Sequence, residues 1–205
     1  GLTETAPLLT MNRTRAEWDD DTPAERAATL GRAGAPALGI SVRIDDHGEI
    51  LARGNHVLKS YWDQPEATDD AIVDGWFHTG DGGTFDDGYL TISDRKKDVI
   101  ISGGENVSSI ETEDALFSHP AVAEVAVIGV PDEKWGELIL ALVVLAPGEQ
   151  VTEDELRDHC RTRLAGYKVP KRIEFRNELD RTATGKLQKF KLRAPYWEGQ
   201  QRQIN

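Results

Sequence analysis

The sequence is poor in cysteine, in long apolar runs and in positive charge. Cys160 is the single cysteine among 205 residues, which excludes an internal disulfide. The longest apolar stretches, residues 121–130 and 138–146, are well short of the about 20 residues that a membrane-spanning helix needs. The N-terminus has no basic segment followed by an apolar one, so the sequence predicts neither a secretory leader nor a transmembrane segment. We therefore expect a cytoplasmic protein.

The charge balance excludes another class of partner. The formal net charge is −12 and the pI is near 4.9. Nucleic-acid binding needs a basic face that displaces counterions, so no nucleic-acid partner is predicted. There is no Gly-x-Ser-x-Gly nucleophile motif. The five histidines show no metal-ligand spacing; they are His47, His56, His78, His119 and His159.

The first half of the chain is dominated by strand patterns. Residues 38–44 and 49–53 alternate around an Asp-Asp-His-Gly turn, and residues 76–79 and 89–92 flank an Asp-Asp-Gly turn. Two hairpins are predicted, within a mostly antiparallel β region from 36 to 95 that has few helix signals. The acidic segment from Trp18 to Arg26 is expected to be a loop or a short surface helix.

After Lys97 the periodicity changes. Capping-box patterns predict helices from Ser108 to about Ser118 and from Thr152 to Gly166, the second with an apolar face that includes Cys160. Further elements are predicted as strands at 122–130, 138–145 and 172–175 and a terminal helix from about Lys186. The fold class is α+β, with a β-rich unit over residues 1–95 followed by a small α+β domain over 96–205, whose short sheet is flanked by helices.

Two polar segments carry the functional signal. Residues 93–106 join a basic patch to a β-branched strand and the pair Gly103-Gly104, and residues 183–187 place Lys186 after a glycine. A Walker loop is excluded, since it needs glycine where Asp180 stands and Ser or Thr at Leu187. Lys186 on a polar loop can deliver a point charge to a phosphate or oxyanion, although a solvated surface lysine is the commoner case.

Other candidates also have ordinary interpretations. Asp81, just past a predicted strand end, can accept two ribose hydroxyls or can simply cap a turn. Arg95 can reinforce the same ribose, or pair with Asp94 or Asp98 on the surface. Paired glycines allow a ligand to approach closely, but more often form a plain turn. Cys160, on an apolar helix face, is interpreted as a core residue.

The order of these segments resembles the C-terminal part of the adenylate-forming superfamily of acyl-CoA synthetases, nonribosomal adenylation domains and luciferases, and in particular bacterial fatty-acid–CoA ligases. Four segments carry the resemblance in the first half: Gly1-Leu-Thr-Glu4, Gly48-Glu-Ile50, Tyr61-Trp62 and Trp76-Phe-His-Thr-Gly-Asp81. The resemblance implies that Thr3 contacts phosphate, Glu4 holds magnesium and Asp81 binds both ribose hydroxyls. The Gly-Glu-Ile segment is expected to be mainly structural.

The second half resembles the hinge and last motifs of the same superfamily. Arg95 would touch the ribose, Lys97 would be the hinge between two domain orientations, and Lys186 would bridge the acyl carboxylate and the α-phosphate. Gly103 and Gly104 would line the pantetheine tunnel. The weaker implied contacts, with the nucleotide end of CoA, are Trp135, Tyr167 and Lys171.

The implied reaction joins a fatty acid to CoA through an acyl-adenylate, with ATP, Mg²⁺ and CoA as substrates and cofactor. The phosphate loop and the acyl pocket lie upstream in relatives, and Gly1 is not an initiator methionine. We therefore expect this chain to be a C-terminal fragment that is inactive alone and needs the N-terminal part of its own chain. Alternatives are an adenylation domain that loads a carrier protein, a luciferase-type oxygenase and a non-catalytic interaction domain. Two departures stand out: Asp180 replaces a usual proline, which is expected to loosen the loop that carries Lys186 without removing its charge, and Val169 lies where some CoA ligases have a basic residue.

Overall fold

The computed structural model describes residues 1–183 and 185–199. Thr184, part of the last predicted motif, lies outside the described residues. Contacts divide the chain after Lys96 into two units, residues 1–96 and 97–205, each with its own sheet and core. That the units are the end of a large domain and a complete small domain stays a prediction.

The first unit is built on strands, which are β1 Thr10–Met11, β2 Ala35–Pro36, β3 Ile40–Ile44, β4 Glu49–Gly54, β5 Ile72–Val73, β6 Trp76–Asp86 and β7 Tyr89–Arg95. They form an antiparallel sheet in the order β3-β4-β6-β5, with β7 paired to β6. Its apolar side covers a core that includes Leu9, Ile50, Phe77 and Leu90. Both predicted hairpins are confirmed, as β3–β4 and β6–β7.

Two helices of this unit differ from the sequence expectation. Helix α1, Pro23–Leu30, begins with a capping box between Thr22 and Glu25 and runs four residues beyond the predicted segment. Helix α2, Pro65–Ala71, lies where few helix signals were seen. Proline at its first position is compatible with a helix start, because that amide has no intrahelical partner. Short 3₁₀ helices span Thr3–Thr5, Ala16–Trp18 and Lys96–Asp98.

The second unit combines strands and helices. The strands are β8 Ile100–Ser102, β9 Glu105–Val107, β10 Val122–Asp132, β11 Gly136–Leu145 and β12 Arg172–Phe175. The helices are α3 Ser109–Phe117, α4 Glu153–Arg161 and α5 Lys189–Arg193, with 3₁₀ helices at Gly166–Lys168 and Ala194–Tyr196. The strands form a sheet in the order β10-β11-β8-β9, with β12 parallel to β11. The α+β fold class is confirmed.

Helices cover both faces of this sheet. Successive side chains of a strand point to opposite faces. Accordingly Val125 and Val127 pack on the side that holds Leu116 and Leu156 of helices α3 and α4, whereas Ile128 and its neighbours pack with Leu192 of α5 and Leu187. Burial on both faces explains the continuous apolar runs of β10 and β11.

Two predicted helix limits are wrong. Helix α4 ends at Arg161 instead of Gly166, because the chain tightens there into a 3₁₀-type turn, in which the Arg163 amide donates to the Cys160 carbonyl three residues back. Leu164 still packs on the core from outside the helix, which is why it fitted the helical pattern. Helix α5 begins at Lys189 and not at Lys186. Across the described residues, no helix combines the length and apolar character needed to cross a membrane.

Candidate functional site

An ion pair joins the strands that carry Asp81 and Arg95. The two residues are direct partners in the register of β6 and β7, and Arg95 Nε lies 3.4 Å from Asp81 Oδ1. The aspartate side chain is 17% exposed and the arginine side chain 55%. An ionised carboxylate has about four acceptor sites, so it can accept several hydrogen bonds at once. The structure thus brings together the two residues predicted to bind a ribose.

Asp81 lies inside β6, and the prediction that it follows a strand end is wrong. The register of β4 against β6 shifts between Glu49 and Leu51, which produces a bulge in β6 beside Asp81. Thr79 Oγ1 bonds to the Ile50 carbonyl at 2.7 Å and accepts the Asp81 amide at 3.2 Å. A bulge re-aims the side chains next to it. Asp81 is therefore presented by a fixed backbone distortion within a strand.

Glu49 holds this bulge from the neighbouring strand. Its buried carboxylate accepts hydrogen bonds from the Gly80 amide at 2.8 Å and from His78 Nδ1 and Lys96 Nζ at 2.9 Å each. Burial alone would raise the pKa of Glu49, but the bonds from Lys96, His78 and Gly80 outweigh it and hold the pKa below its ordinary value. Glu49 is therefore ionised at neutral pH and fixes the residue before Asp81.

Asp45, Glu49 and His78 also place their ligand atoms within 4.8 Å of one another. The donors are already engaged, since Asp45 Oδ1 accepts the amides of His47 and Glu49. We interpret this group as a hydrogen-bonded support for β4 and β6. It does not include Glu4, the residue predicted to hold magnesium.

Lys186 extends from a loop whose backbone is tied down. Its amide donates to Thr182 Oγ1 at 3.0 Å, and the Thr182 amide donates to the Lys186 carbonyl at 2.8 Å. The Arg181 guanidinium donates to the Gly185 carbonyl at 2.7 Å and, at 2.6 Å, to the carboxylate of Glu124 on β10. The Lys186 side chain is exposed. An exposed ammonium group on an anchored backbone suits contact with an anionic ligand.

Gly103 and Gly104 form the two-residue turn between β8 and β9. Their φ angles are +64° and +84°, the both-positive pattern of a type I′ turn. The Gly103 amide donates to the Trp135 carbonyl at 2.8 Å, and a Cβ at Gly103 would lie 2.8 Å from Trp135 Cε3. Lys134 Nζ and Lys171 Nζ lie 4.9 and 5.6 Å from the Trp135 ring centre. Four predicted CoA contacts, the two glycines, Trp135 and Lys171, thus belong to one surface.

Tyr167 is on a separate 3₁₀ turn. It is 45% exposed, and its turn is fixed to α3 because Thr112 Oγ1 donates to the Lys168 carbonyl and Lys168 Nζ pairs with Glu111 at 2.6 Å. Val169, which follows, is buried in the core. The residue at 169 therefore serves packing in this chain.

Known proteins resemble this chain in sequence and in structure. The family model described as AMP-binding enzyme C-terminal domain matches residues 111–186. A feruloyl-CoA synthase of an Amycolatopsis species is 45% identical over 94% of this chain and 40% of its own length. The chain belongs to the adenylate-forming enzyme superfamily.

Two further members of the superfamily extend the comparison. The long-chain-fatty-acid–CoA ligase FadD13 of Mycobacterium tuberculosis is 48% identical over 83% of this chain and 35% of its own. The o-succinylbenzoate CoA synthetase of Bacillus subtilis, solved with an acyl-adenylate intermediate, matches with a TM-score of 0.81 and 37% identity over 94% of this chain and 40% of its own. The chain thus spans 35–40% of the length of these relatives.

The resemblance to the superfamily assigns Thr3 to phosphate and Glu4 to magnesium. Both residues lie on the first 3₁₀ helix. Glu4 is half-buried, its carbonyl accepts the Leu58 amide at 2.7 Å and its carboxylate accepts the Tyr61 hydroxyl at 3.2 Å. Burial and the nearby Glu4 charge raise the pKa of Tyr61. Magnesium is commonly held by one or two carboxylates together with substrate phosphates. The single carboxylate of Glu4 fits such a site.

Lys97, the predicted hinge of an adenylate-forming enzyme, is the middle residue of the 3₁₀ helix Lys96–Asp98, where the two units divide. Its carbonyl accepts a hydrogen bond from Arg193 Nη1 at 2.9 Å.

The sequence did not point to Arg193, Arg181 or Glu124, and it gave Glu49 only a structural role. The one available signal was a glutamate at the start of the apolar run of β4, where a buried charge needs partners.

Proposed function

We propose that the chain is the C-terminal part of an ATP-dependent acyl-CoA synthetase. The complete enzyme would convert a carboxylic acid and ATP to an acyl-adenylate and pyrophosphate, and then pass the acyl group to CoA with release of AMP. The observation that carries this proposal is the exposed Lys186 on a tethered loop, in a chain that also pairs Asp81 with Arg95. The 205-residue chain alone is expected to be inactive.

The first unit would supply the nucleotide contacts. Asp81 would accept the two ribose hydroxyls, and Arg95 would pair with that carboxylate and donate to the ribose. Thr3 would donate to a phosphate oxygen. Glu4 would hold magnesium, which neutralises phosphate charge when it is bound. The fixed bulge at Gly80 supports these roles because it sets the direction of Asp81 before any ligand arrives.

Lys186 would act in the first half-reaction. When the acyl carboxylate attacks the α-phosphate, two anions approach each other, and an ammonium group placed between them stabilises the negative charge of the transition state. In the second half-reaction the thiol must reach the acyl carbon. Rotation about Lys97 would then withdraw Lys186, which is a gating role for the hinge.

The surface around Gly103 and Trp135 would receive CoA after this rotation. A turn without side chains lets the pantetheine chain lie against the backbone. The exposed indole, with Lys134 and Lys171 nearby, combines an aromatic face for the adenine with ammonium groups for the CoA phosphates. Tyr167 would add a contact at the same nucleotide end.

We propose a fatty acid as the acyl substrate and the cytoplasm as the location. The fatty-acid–CoA ligase among the relatives supports the first, although a feruloyl-CoA synthase is similar over more of the chain. The single buried thiol of Cys160 suits a reducing compartment. The expected partners are small molecules and the N-terminal part of the same polypeptide. The clustering of Gly103 with Trp135 and Lys171 favours CoA over a carrier protein as the acyl acceptor.

The decisive experiment separates the two half-reactions in the complete enzyme. Lys186→Ala should lower ATP–pyrophosphate exchange by about 10²–10³, the usual effect of removing a group that stabilises transition-state charge, and should leave thioester formation from supplied acyl-adenylate unchanged. Lys191→Ala, which removes an exposed lysine of α5, is the matched control and should affect neither step. Equal loss of both steps in Lys186→Ala would contradict the proposed role.

A further inference from the structure

The residue before Lys97 is anchored to the first unit. Lys96 Nζ lies 2.9 Å from Glu49 Oε2, and the Glu49 side chain is 5% exposed. Glu49 also accepts bonds from His78 and Gly80 on β6. The partner of Lys96 is therefore an immobile group inside the sheet, so the pair restrains Lys96 more than an exposed ion pair would.

The residue after Lys97 is anchored to the second unit. Arg193 Nη2 lies 2.8 Å from Asp98 Oδ1, with side-chain exposures of 11% and 12%. The same guanidinium donates through Nη1 to the Lys97 carbonyl at 2.9 Å. Arginine suits this place because its planar fork can bind a carboxylate and a carbonyl together, which a lysine ammonium does less well.

Arg193 is itself held in place by its helix. It is the last residue of α5, whose first residue, Lys189, pairs with Glu113 at 2.7 Å and donates to Ser109 Oγ at 2.6 Å. Leu192 packs on the sheet. The anchor for Asp98 therefore belongs to the rigid body of the second unit.

Because peptide groups are planar, these two anchors limit which backbone angles can change between the units. The plane between Lys96 and Lys97 follows Lys96, and the plane between Lys97 and Asp98, which includes the Lys97 carbonyl, follows Arg193. Each residue has only two soft backbone angles. We infer that Arg193 and Glu49 are positioning residues that confine the rotation between the units to φ and ψ of Lys97. This inference rests on the proposed hinge role of Lys97.

The test measures the distribution of distances between the units, in the 205-residue chain and without ligand. Nitroxide labels at Asp46→Cys and Glu149→Cys, both exposed sites, are read by pulsed electron–electron resonance, and the buried Cys160 stays unlabelled. The pair-deleting variant Asp98→Asn/Arg193→Met frees the second anchor without leaving a buried charge unpaired. Lys96→Met frees the first anchor.

Releasing either anchor should broaden the distribution. Four backbone angles would then contribute instead of two, so the variance would double and the width would rise by about 1.4-fold. Arg157→Met, which removes a comparable arginine of α4 from its partners Glu153 and Asp154, is the control and should leave the width unchanged. Melting temperatures report whether each variant folds, and Arg193→Lys, which keeps a charge for Asp98 but loses the fork that also binds the Lys97 carbonyl, replaces the double variant if that one does not.

Each anchor is judged by its own variant. An unchanged width in a folded variant overturns the assignment of that anchor, and equal broadening in Arg157→Met overturns both, because it would show general softening. The readout needs no catalysis. Failure of the proposed enzyme function would instead appear as unaltered pyrophosphate exchange in Lys186→Ala, so the two failures are distinguishable.

Discussion

The turn at Gly103 and Gly104 offers a matched pair of substitutions that differ in one contact. Both glycines have positive φ, so alanine is strained at either position. A Cβ at Gly103 would lie 2.8 and 3.1 Å from two carbons of the Trp135 ring, whereas a Cβ at Gly104 would meet no atom within 4 Å. The difference between the two variants therefore isolates the approach of Trp135.

The magnitudes follow from these two observations. Left-handed backbone costs alanine about 1–2 kcal/mol, and the smaller entropy of the unfolded chain returns about 0.4–1 kcal/mol. Gly104→Ala should thus lower the free energy of unfolding by about 1 kcal/mol. Gly103→Ala adds overpacking against the indole, which typically costs about 1–3 kcal/mol, for a total of about 2–4 kcal/mol.

Urea unfolding followed by far-ultraviolet circular dichroism measures both losses. With a slope of about 1–3 kcal/mol per molar urea, the extra loss in Gly103→Ala corresponds to a lower midpoint by about 1 M. Trp135→Leu completes a double-mutant cycle, in which the penalty at Gly103 should fall by about 1 kcal/mol or more, as expected for residues in contact. Equal losses at the two glycines, or a cycle without coupling, would refute the proposed packing of Trp135 on Gly103.

Two further predictions concern buried titratable groups. The folded pKa of Glu49 is lowered, so its stabilising effect is complete above the ordinary carboxyl pKa of 4.5 and is lost as the pH falls through the folded value. Glu49→Gln should lower the free energy of unfolding by about 1–3 kcal/mol at pH 7, and the difference from wild type should shrink below pH 4.5. Glu149→Gln is the control and should leave the free energy of unfolding unchanged at either pH. Burial raises the pKa of Cys160 to about 11, so a disulfide reagent at pH 8 should modify the thiol only in urea; rapid modification of the folded chain would show that α4 does not bury it.

Much of the fold could be predicted because its signals are local. Alternation identified both hairpins, and the Ser108 and Thr152 caps lie where the sequence placed them. The end of α4 could not be predicted from Leu164, because a side chain just beyond a helix can pack on the same core. Helix α2 was missed because seven residues hold too few apolar positions to show a period.

In the candidate site, too, the local features could be predicted and the long-range contacts could not. The order of short motifs predicted Asp81, Arg95 and the glycine turn, since each motif is contiguous in sequence. The contacts that hold the segment of Asp81 are long-range: 31 residues separate Gly80 from Glu49 and 29 separate Thr79 from Ile50. A single sequence carries no periodic signal for such pairs, and only the folded chain brings them together.

A long-range contact also changes how the Asp180 departure from the superfamily pattern is interpreted, in the loop that carries Lys186. Asp180 in place of proline was expected to loosen this loop. The loop is closed by the Gln188 amide, which donates to the Asp180 carbonyl at 2.9 Å, and proline offers the same carbonyl. The clamp from Arg181 to Glu124 adds a tie to β10 across 57 residues. Both restraints are independent of the side chain at 180, so they oppose a loosening of the Lys186 loop. The reach of the Lys186 side chain therefore depends on Arg181 more than on Asp180.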